Sequence, residues 1–277
     1  MRILMFGWEF PPAISGGLGT ACFGMTKALA QRGHRITFVI PVLPEPGRPS
    51  HVELIAACAF AGAAGGGPPS GVAVRPVESP LRPYMTPHDY GRLQGSLLAI
   101  PGPYGPDLFS EIERYAQAAG LIARRAAFDV IHAHDWLTVP AALRARSVSG
   151  RPVVLHVHAL EFDRSGAAAD ARIVAIERQG LQEADLVIAV SRYTKRTIVE
   201  RYGVDPGKIR VVHNAVSRSE AARAAGGPRP FGGKIVLFLG RITHQKGPGV
   251  FVEAAAKVLR VLPDVTFVMA GSGDLMP

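Results

Sequence analysis

The feature that most constrains this chain is the recurrence of short, nearly continuous apolar runs rich in β-branched residues, each separated from the next by a stretch with helical spacing. The runs are Ile3 to Phe6, Arg35 to Ile40, Val52 to Ala56, Val130 to Ala133, Val153 to Val157 and Leu186 to Val190. A strand that is apolar on both sides is buried on both faces, as happens in a parallel sheet covered by helices. The intervening helices are expected at Ala21 to Gln31 (closed by Gly33), Phe109 to Arg125, Ile173 to Glu183, and Thr194 to Tyr202 (closed by Gly203). Strands alternating with helices form βαβ units, so the expected fold class is α/β with an open, mostly parallel sheet. At 277 residues and 48% hydrophobic, the chain is long enough to bury a sizeable core.

Two stretches interrupt this pattern. Pro41 to Pro106 is rich in proline and glycine, including "AGAAGGGPPSG" at Ala61 to Gly71, and reads as long surface loops, with an acceptor-side or lid insertion as the functional alternative. Ser219 to Gly233 reads as a linker. The expected organisation is therefore a first domain over 1–218, a linker over 219–233 and the start of a second domain over 234–277. That second part holds a strand and loop at Lys234 to Gly247, a helix at Pro248 to Val261 and a strand running into a glycine loop at Val265 to Leu275. One βαβ unit cannot bury both faces of its own sheet, so the second domain is expected to be incomplete and the chain a truncated product or fragment.

Bulk properties remove several function classes. No apolar run approaches the roughly 20 residues of a membrane span, and Met1 to Phe6 is too short for a secretory signal, so a cytoplasmic location is expected. Cys22 and Cys58 make neither a disulfide framework nor a metal-ligand spacing. The net charge of +9 is spread without a basic block or interleaved aromatics, which argues against nucleic acid and suits phosphate-bearing small ligands.

Four signals carry possible chemistry. Gly16, Gly17 and Gly19 follow the first strand and precede a helix, where backbone N–H groups attract an anion such as a diphosphate; the alternative is a tight strand-to-helix turn. Cys22 stands where a dinucleotide fingerprint needs its third glycine, which disfavours a Rossmann oxidoreductase. "DVIHAHDW" and "VVLHVHALEFDRSG" each place two histidines at i and i+2 near the carboxyl end of a strand, the ligand-binding edge of open α/β sheets. His134, Asp135 and His158 are thereby expected near the glycine loop, with His132 and His156 further back in packing, and with buried, backbone-bonded histidines as the alternative. The four histidines and Asp135 could also form a metal site, but no H-E-x-x-H or Cys/His spacing supports one, and no metal is expected. Finally, Arg241 and Lys246 in "GRITHQKG" are either solvated loop cations or a clamp for a departing diphosphate.

In order along the chain, "WEFPPAISGGLG", "HAHDW", "HVHALEFDRSG", "ADLVIAVSRYTKRTIVERYGVDPGKIRVVHNAV" and "GRITHQKG" resemble retaining glycosyltransferases of the two-Rossmann GT-B type. This group holds glycogen and starch synthases and the sugar-nucleotide-dependent family 4 enzymes. The resemblance covers most of the chain apart from Pro44 to Pro80. It implies that Gly16, Gly17 and Gly19 meet the donor diphosphate, that Arg241 and Lys246 clamp it, and that His158 touches the donor sugar beside Asp135. It further implies that "GSGDL", with Gly271 and Gly273, opens the nucleotide-base pocket. The implied function is hexosyl transfer, glucose first, from a nucleoside-diphosphate sugar to a glycan acceptor, without metal or further cofactor and with retained configuration. Members of the group carry an E-x7-E-type motif beyond "GSGDL", and this sequence ends before it, which leaves a non-catalytic glycan or nucleotide-sugar binding remnant as the alternative.

Overall fold

The apolar runs assemble into one seven-stranded sheet in which all neighbours are parallel. The structure, a computed structural model, describes residues 1–10, 17–41, 51–56, 107–215, 232–271 and 275. Gly16, Cys58, Gly273, nearly all of the Pro41 to Pro106 stretch and most of the linker lie outside the described residues. The strands are β1 (Arg2–Phe6), β2 (Arg35–Ile40), β3 (Glu53–Ala56), β4 (Val130–His134), β5 (Val153–Val157), β6 (Leu186–Ala189) and β7 (Ile209–Val211). The connecting helices are α1 (Gly17–Gln31), α2 (Leu108–Arg125), α3 (Val139–Ser149), α5 (Ala171–Glu183) and α6 (Arg192–Tyr202), with the short α4 (Glu161–Ser165) between α3 and α5.

The chain divides into two compact units: residues 1–160 with 171–215, and residues 161–170 with 216–277. In the first unit the sheet order is β3-β2-β1-β4-β5-β6-β7. The chain builds outward from β1 to β3, then returns to the other side of β1 with β4. The strand order therefore reverses between β1 and β4, and the crevice at their carboxyl ends is where open α/β sheets take ligands. Leu4, Met5, Phe6, Phe38, Val39, Ile131 and Ala133 are fully buried around this point. Each large side chain among them stabilises the fold by about 1.5–3 kcal/mol relative to exposure.

Close packing fixes the ends of these strands. A Cβ on Gly7 would lie 2.4 Å from the Phe38 ring, so only glycine lets β1 leave the sheet beside that buried aromatic. Gly7 N–H donates to Val39 O at 3.0 Å, and the buried Tyr115 hydroxyl lies 3.0 Å from Gly7 O and 2.9 Å from Val39 O, tying α2 to the ends of β1 and β2.

Two local outcomes differ from expectation. Helix α1 begins at Gly17, not Ala21, so Gly17 and Gly19 form its first turn and are not a loop ahead of it. Helix α3 and strand β7 are additional elements; α3 carries a proline in its first turn and a C-cap glycine, Gly150, at φ 65°.

The second unit holds β8 (Lys234–Leu239), α7 (Pro248–Leu259) and β9 (Val265–Ala270), with β8 and β9 parallel and in register from Lys234 beside Val265 to Leu239 beside Ala270. A Cβ on Gly271 would fall 1.8 Å from Gly240 O, so the strands end in contact that only glycine permits. Among the described residues this sheet has two strands, and Val236, Leu237 and Leu239 on β8 and Val250 and Val252 on α7 are exposed. No helix among the described residues is long and apolar enough to cross a membrane.

Candidate active site

β4 and β5 are neighbours with His134 directly beside His156, and the two-residue period of a strand puts His132 and His134, and likewise His156 and His158, on one side. Four imidazoles consequently pack together. Ring centroids of His132 and His134 lie 4.7 Å apart, those of His156 and His158 4.4 Å, and the cross-strand pairs 5.2–5.5 Å. His134 Nδ1 is 3.1 Å from His158 Nε2, and His132 Nε2 is 3.4 Å from His156 Nδ1. His132, His134 and His156 are buried and His158 is half-buried.

Burial disfavours the charged form of each ring. It holds His132 and His156 at a pKa of about 3 and His158 at about 4, with His134 well below the usual histidine range. Neighbouring imidazoles reinforce the effect on His132, His134 and His156, since two cations would face each other there. Near neutral pH the cluster is uncharged, and His158 meets a ligand as a hydrogen-bonding imidazole and not as a cation.

Asp135 follows β4 at φ 56° and ψ 178°, a conformation otherwise left to glycine, and is the sole non-glycine residue at positive φ among the described residues. Three hydrogen bonds hold it there. Its backbone N–H donates to His156 O at 3.0 Å, and its Oδ1 accepts from the N–H of His158 at 2.6 Å and of Ala159 at 3.3 Å. Asp135 is buried, and its carboxylate fixes the backbone on which His158 stands. That makes Asp135 a positioning residue in this structure.

The start of α1 lies at the same carboxyl edge because α1 follows β1. Gly17 is exposed, and a Cβ there would meet nothing within 4 Å. Gly19 N–H, which the sequence assigns to an incoming anion, donates to Glu9 Oε1 at 2.7 Å. A diphosphate at this helix start would compete with a carboxylate for that donor. Cys22 is buried one turn further on, and burial together with the Asp135 and Glu9 carboxylates pushes its thiol pKa up.

In the second unit, Arg241 and Lys246 occupy the segment between β8 and α7, at the carboxyl end of the strand. Arg241 is half-buried and Lys246 exposed. Gly247 takes φ 65° at the cap position of α7, with Pro248 opening the helix. Gly271 ends β9 beside Gly240.

The first unit therefore brings together His134, Asp135 and His158, with Gly17 and Gly19 opening α1 at the same sheet edge, while Arg241, Lys246 and Gly271 share the carboxyl edge of the second unit's sheet. Glu9 and Cys22 join the first group unannounced. Glu9 has no spacing rule to mark it, since a side chain that reaches ten residues along the chain leaves no periodic trace. Cys22 lies one helical turn from Gly19, and that spacing puts the two on one side of α1.

The sequence profile of Glycosyltransferase Family 4 matches residues 15–220, more than half of the chain. A glycogen synthase from Mycobacterium tuberculosis is 27% identical over 289 residues, covering 99% of this chain and 62% of the relative. A D-inositol 3-phosphate glycosyltransferase from Mycobacterium leprae is 35% identical over 175 residues, 56% of this chain and 40% of the relative. Among solved structures, sucrose-phosphate synthase from Thermosynechococcus elongatus superposes with a TM-score of 0.68 at 18% identity, over 99% of this chain and 63% of that one. At that identity the likeness speaks for the fold, and it agrees with the α/β, GT-B-type class expected from the sequence. The chain spans less than two thirds of the length of these relatives.

Proposed function

The chain belongs to Glycosyltransferase Family 4, and from that premise we propose that it transfers a glucosyl group from a nucleoside-diphosphate sugar to a glycan acceptor with retention of configuration. The observation that carries this reading is the convergence of the α1 start, Asp135 and His158 at the strand-order reversal of the first unit. The name of the M. tuberculosis relative, a glycogen synthase, supports a glucan acceptor.

The roles follow from charge. His158 is neutral near pH 7, so it recognises a sugar hydroxyl and supplies no positive charge to a leaving group. Its Nε2 faces His134, and its other ring nitrogen, Nδ1, serves the donor sugar. Asp135 holds the backbone of His158. In this reading the positive charge that a departing diphosphate requires is supplied by Arg241 and Lys246. On this reading Gly271 opens the nucleotide-base pocket. Fixed cations in these places stabilise the leaving group without a metal, and the reaction belongs in the cytoplasm, where sugar nucleotides are the donors.

The test is a donor screen. The protein is incubated with UDP-, ADP- or GDP-glucose and glycogen, and the anomeric configuration of the product is read by NMR. One donor giving an α-linked product supports the reading, and a β-linked product overturns retention. A second reading, binding of glycan or nucleotide sugar without turnover, is favoured by the Glu9 carboxylate that occupies Gly19 N–H. Glycogen binding with no product from any donor would select it.

A further inference from the structure

The histidine cluster cannot satisfy itself. His132 shares a hydrogen bond with His156 and His134 with His158, while His134 Nε2 and His156 Nε2 are buried with no hydrogen-bond partner among the described residues. These two atoms are distinct from the closely spaced pair His134 Nδ1 and His158 Nε2, which are the atoms available to a shared ion. Cys22 supplies a further donor atom at the cleft side of the cluster: one ligand atom from each of Cys22, His134 and His158 lies within 4.8 Å of the other two.

The geometry is near that of a metal centre. Two imidazole nitrogens on one tetrahedral zinc ion, each about 2.0–2.1 Å from it, lie about 3.3 Å apart. His134 Nδ1 and His158 Nε2 are 3.1 Å apart. We propose that Cys22, His134 and His158 bind one thiophilic divalent metal ion of the zinc class at the floor of the first unit's cleft.

The surroundings favour a cation there. The Glu9 and Asp135 carboxylates lie close enough to Cys22 to oppose its ionisation, so the local field is negative. A bound dication reverses that effect on the thiol. On binding, the Cys22 S–H bond breaks, its proton passes to solvent, and a metal–sulfur bond forms; the imidazoles bind as the neutral bases that burial already makes them. His132, His134 and His156 also cluster within 4.8 Å. That set is buried throughout and offers no anionic ligand, whereas half-buried His158 gives an ion a way in. The inference uses side chains of the first unit alone and stands apart from the glycosyl-transfer reading, because its test measures metal binding and not turnover.

The chain has two cysteines, Cys22 and Cys58, which makes the experiment discriminating. Chelator-stripped protein is titrated with cobalt(II). The expected result is one ion per chain with a thiolate-to-cobalt charge-transfer band, kept in Cys58→Ser and lost in Cys22→Ser, whose zinc affinity falls about 100-fold or more. Zinc-edge absorption of the wild-type protein provides a measurement that needs no variant. One sulfur at about 2.3 Å with nitrogens at about 2.0–2.1 Å supports the site. No cobalt band in the wild type, a band that persists in Cys22→Ser, or a zinc shell of oxygen and nitrogen alone overturns it.

Discussion

Replacing Asp135 separates what its charge does from what its backbone does. The 2.6 Å bond from His158 N–H to a carboxylate is worth about 1.5–3 kcal/mol and the 3.3 Å bond from Ala159 roughly 0.5–1 kcal/mol. Asp135→Ala removes both and keeps a side chain at φ 56°, so it destabilises the first unit by about 2–4 kcal/mol. Asp135→Gly loses the same bonds but relaxes the backbone, and is less damaging than alanine by about 1 kcal/mol. Asp135→Asn keeps an oxygen acceptor, loses only the charge, and costs about 1 kcal/mol. Urea unfolding followed by tryptophan fluorescence is the assay. Both tryptophans, Trp8 and Trp136, are buried in the first unit, so the signal reports on it. An alanine variant within about 0.5 kcal/mol of wild type, or a glycine variant as unstable as alanine, would refute the claim that this carboxylate holds a strained turn in place.

Other perturbations have equally definite outcomes. His132, His134, His156 and His158 all have folded pKa values lowered below that of the unfolded chain. The unfolded state therefore takes up protons first on acidification, and stability is complete above about pH 6.5 and falls below it, by about 1.4 kcal/mol per pH unit for each titrating histidine. Cys22 lies beside His134 and His158, and the Asp135 and Glu9 carboxylates act on it. Urea midpoints in a chelating buffer should drop steeply between about pH 6 and pH 5, and the slope should ease by roughly a quarter in His132→Gln; a flat profile would contradict the neutral cluster. Gly7→Ala forces a Cβ to 2.4 Å from the Phe38 ring and should cost about 1–3 kcal/mol, with part recovered in Gly7→Ala/Phe38→Leu; strictly additive losses would count against that contact. Gly271→Ala would place a Cβ 1.8 Å from Gly240 O, so amide exchange across β8 and β9 should accelerate while β1 and β4 stay protected. Leu237→Lys and Leu239→Lys, on the exposed part of β8, should leave the tryptophan-detected midpoint of the first unit unchanged.

The sheet was legible because its strands are buried on both faces. Arg35–Ile40 and Val153–Val157 have the expected bounds, since an apolar run that ends at a turn residue has few other ways to fold. Helix α3 carries a weaker pattern, with alanine and arginine diluting its apolar stripe, although Pro140 and Gly150 mark its two ends. Gly17 and Gly19 read as a loop because glycine disfavours helix, and the Glu9 carboxylate that occupies Gly19 N–H at that helix start is a tertiary contact invisible to local propensity. At the site, the period of two placed His134 and His158 on one edge. That all four imidazoles pack together depends on the register of β4 against β5, which places His134 beside His156 and which no single strand encodes. The glycine-like turn at Asp135 has no sequence signal, because aspartate normally avoids it.

The most direct test of the proposed transfer is glycan-dependent release of nucleoside diphosphate by the wild-type protein beside His158→Ala and Arg241→Ala. With the donor that supports turnover, the account predicts a fall in kcat of about 10²–10³ for Arg241→Ala, the scale on which loss of a charge-stabilising group acts. It predicts a lower kcat/KM for His158→Ala. Release that is unchanged in both variants would contradict the account, because leaving-group stabilisation and sugar recognition would then lie elsewhere.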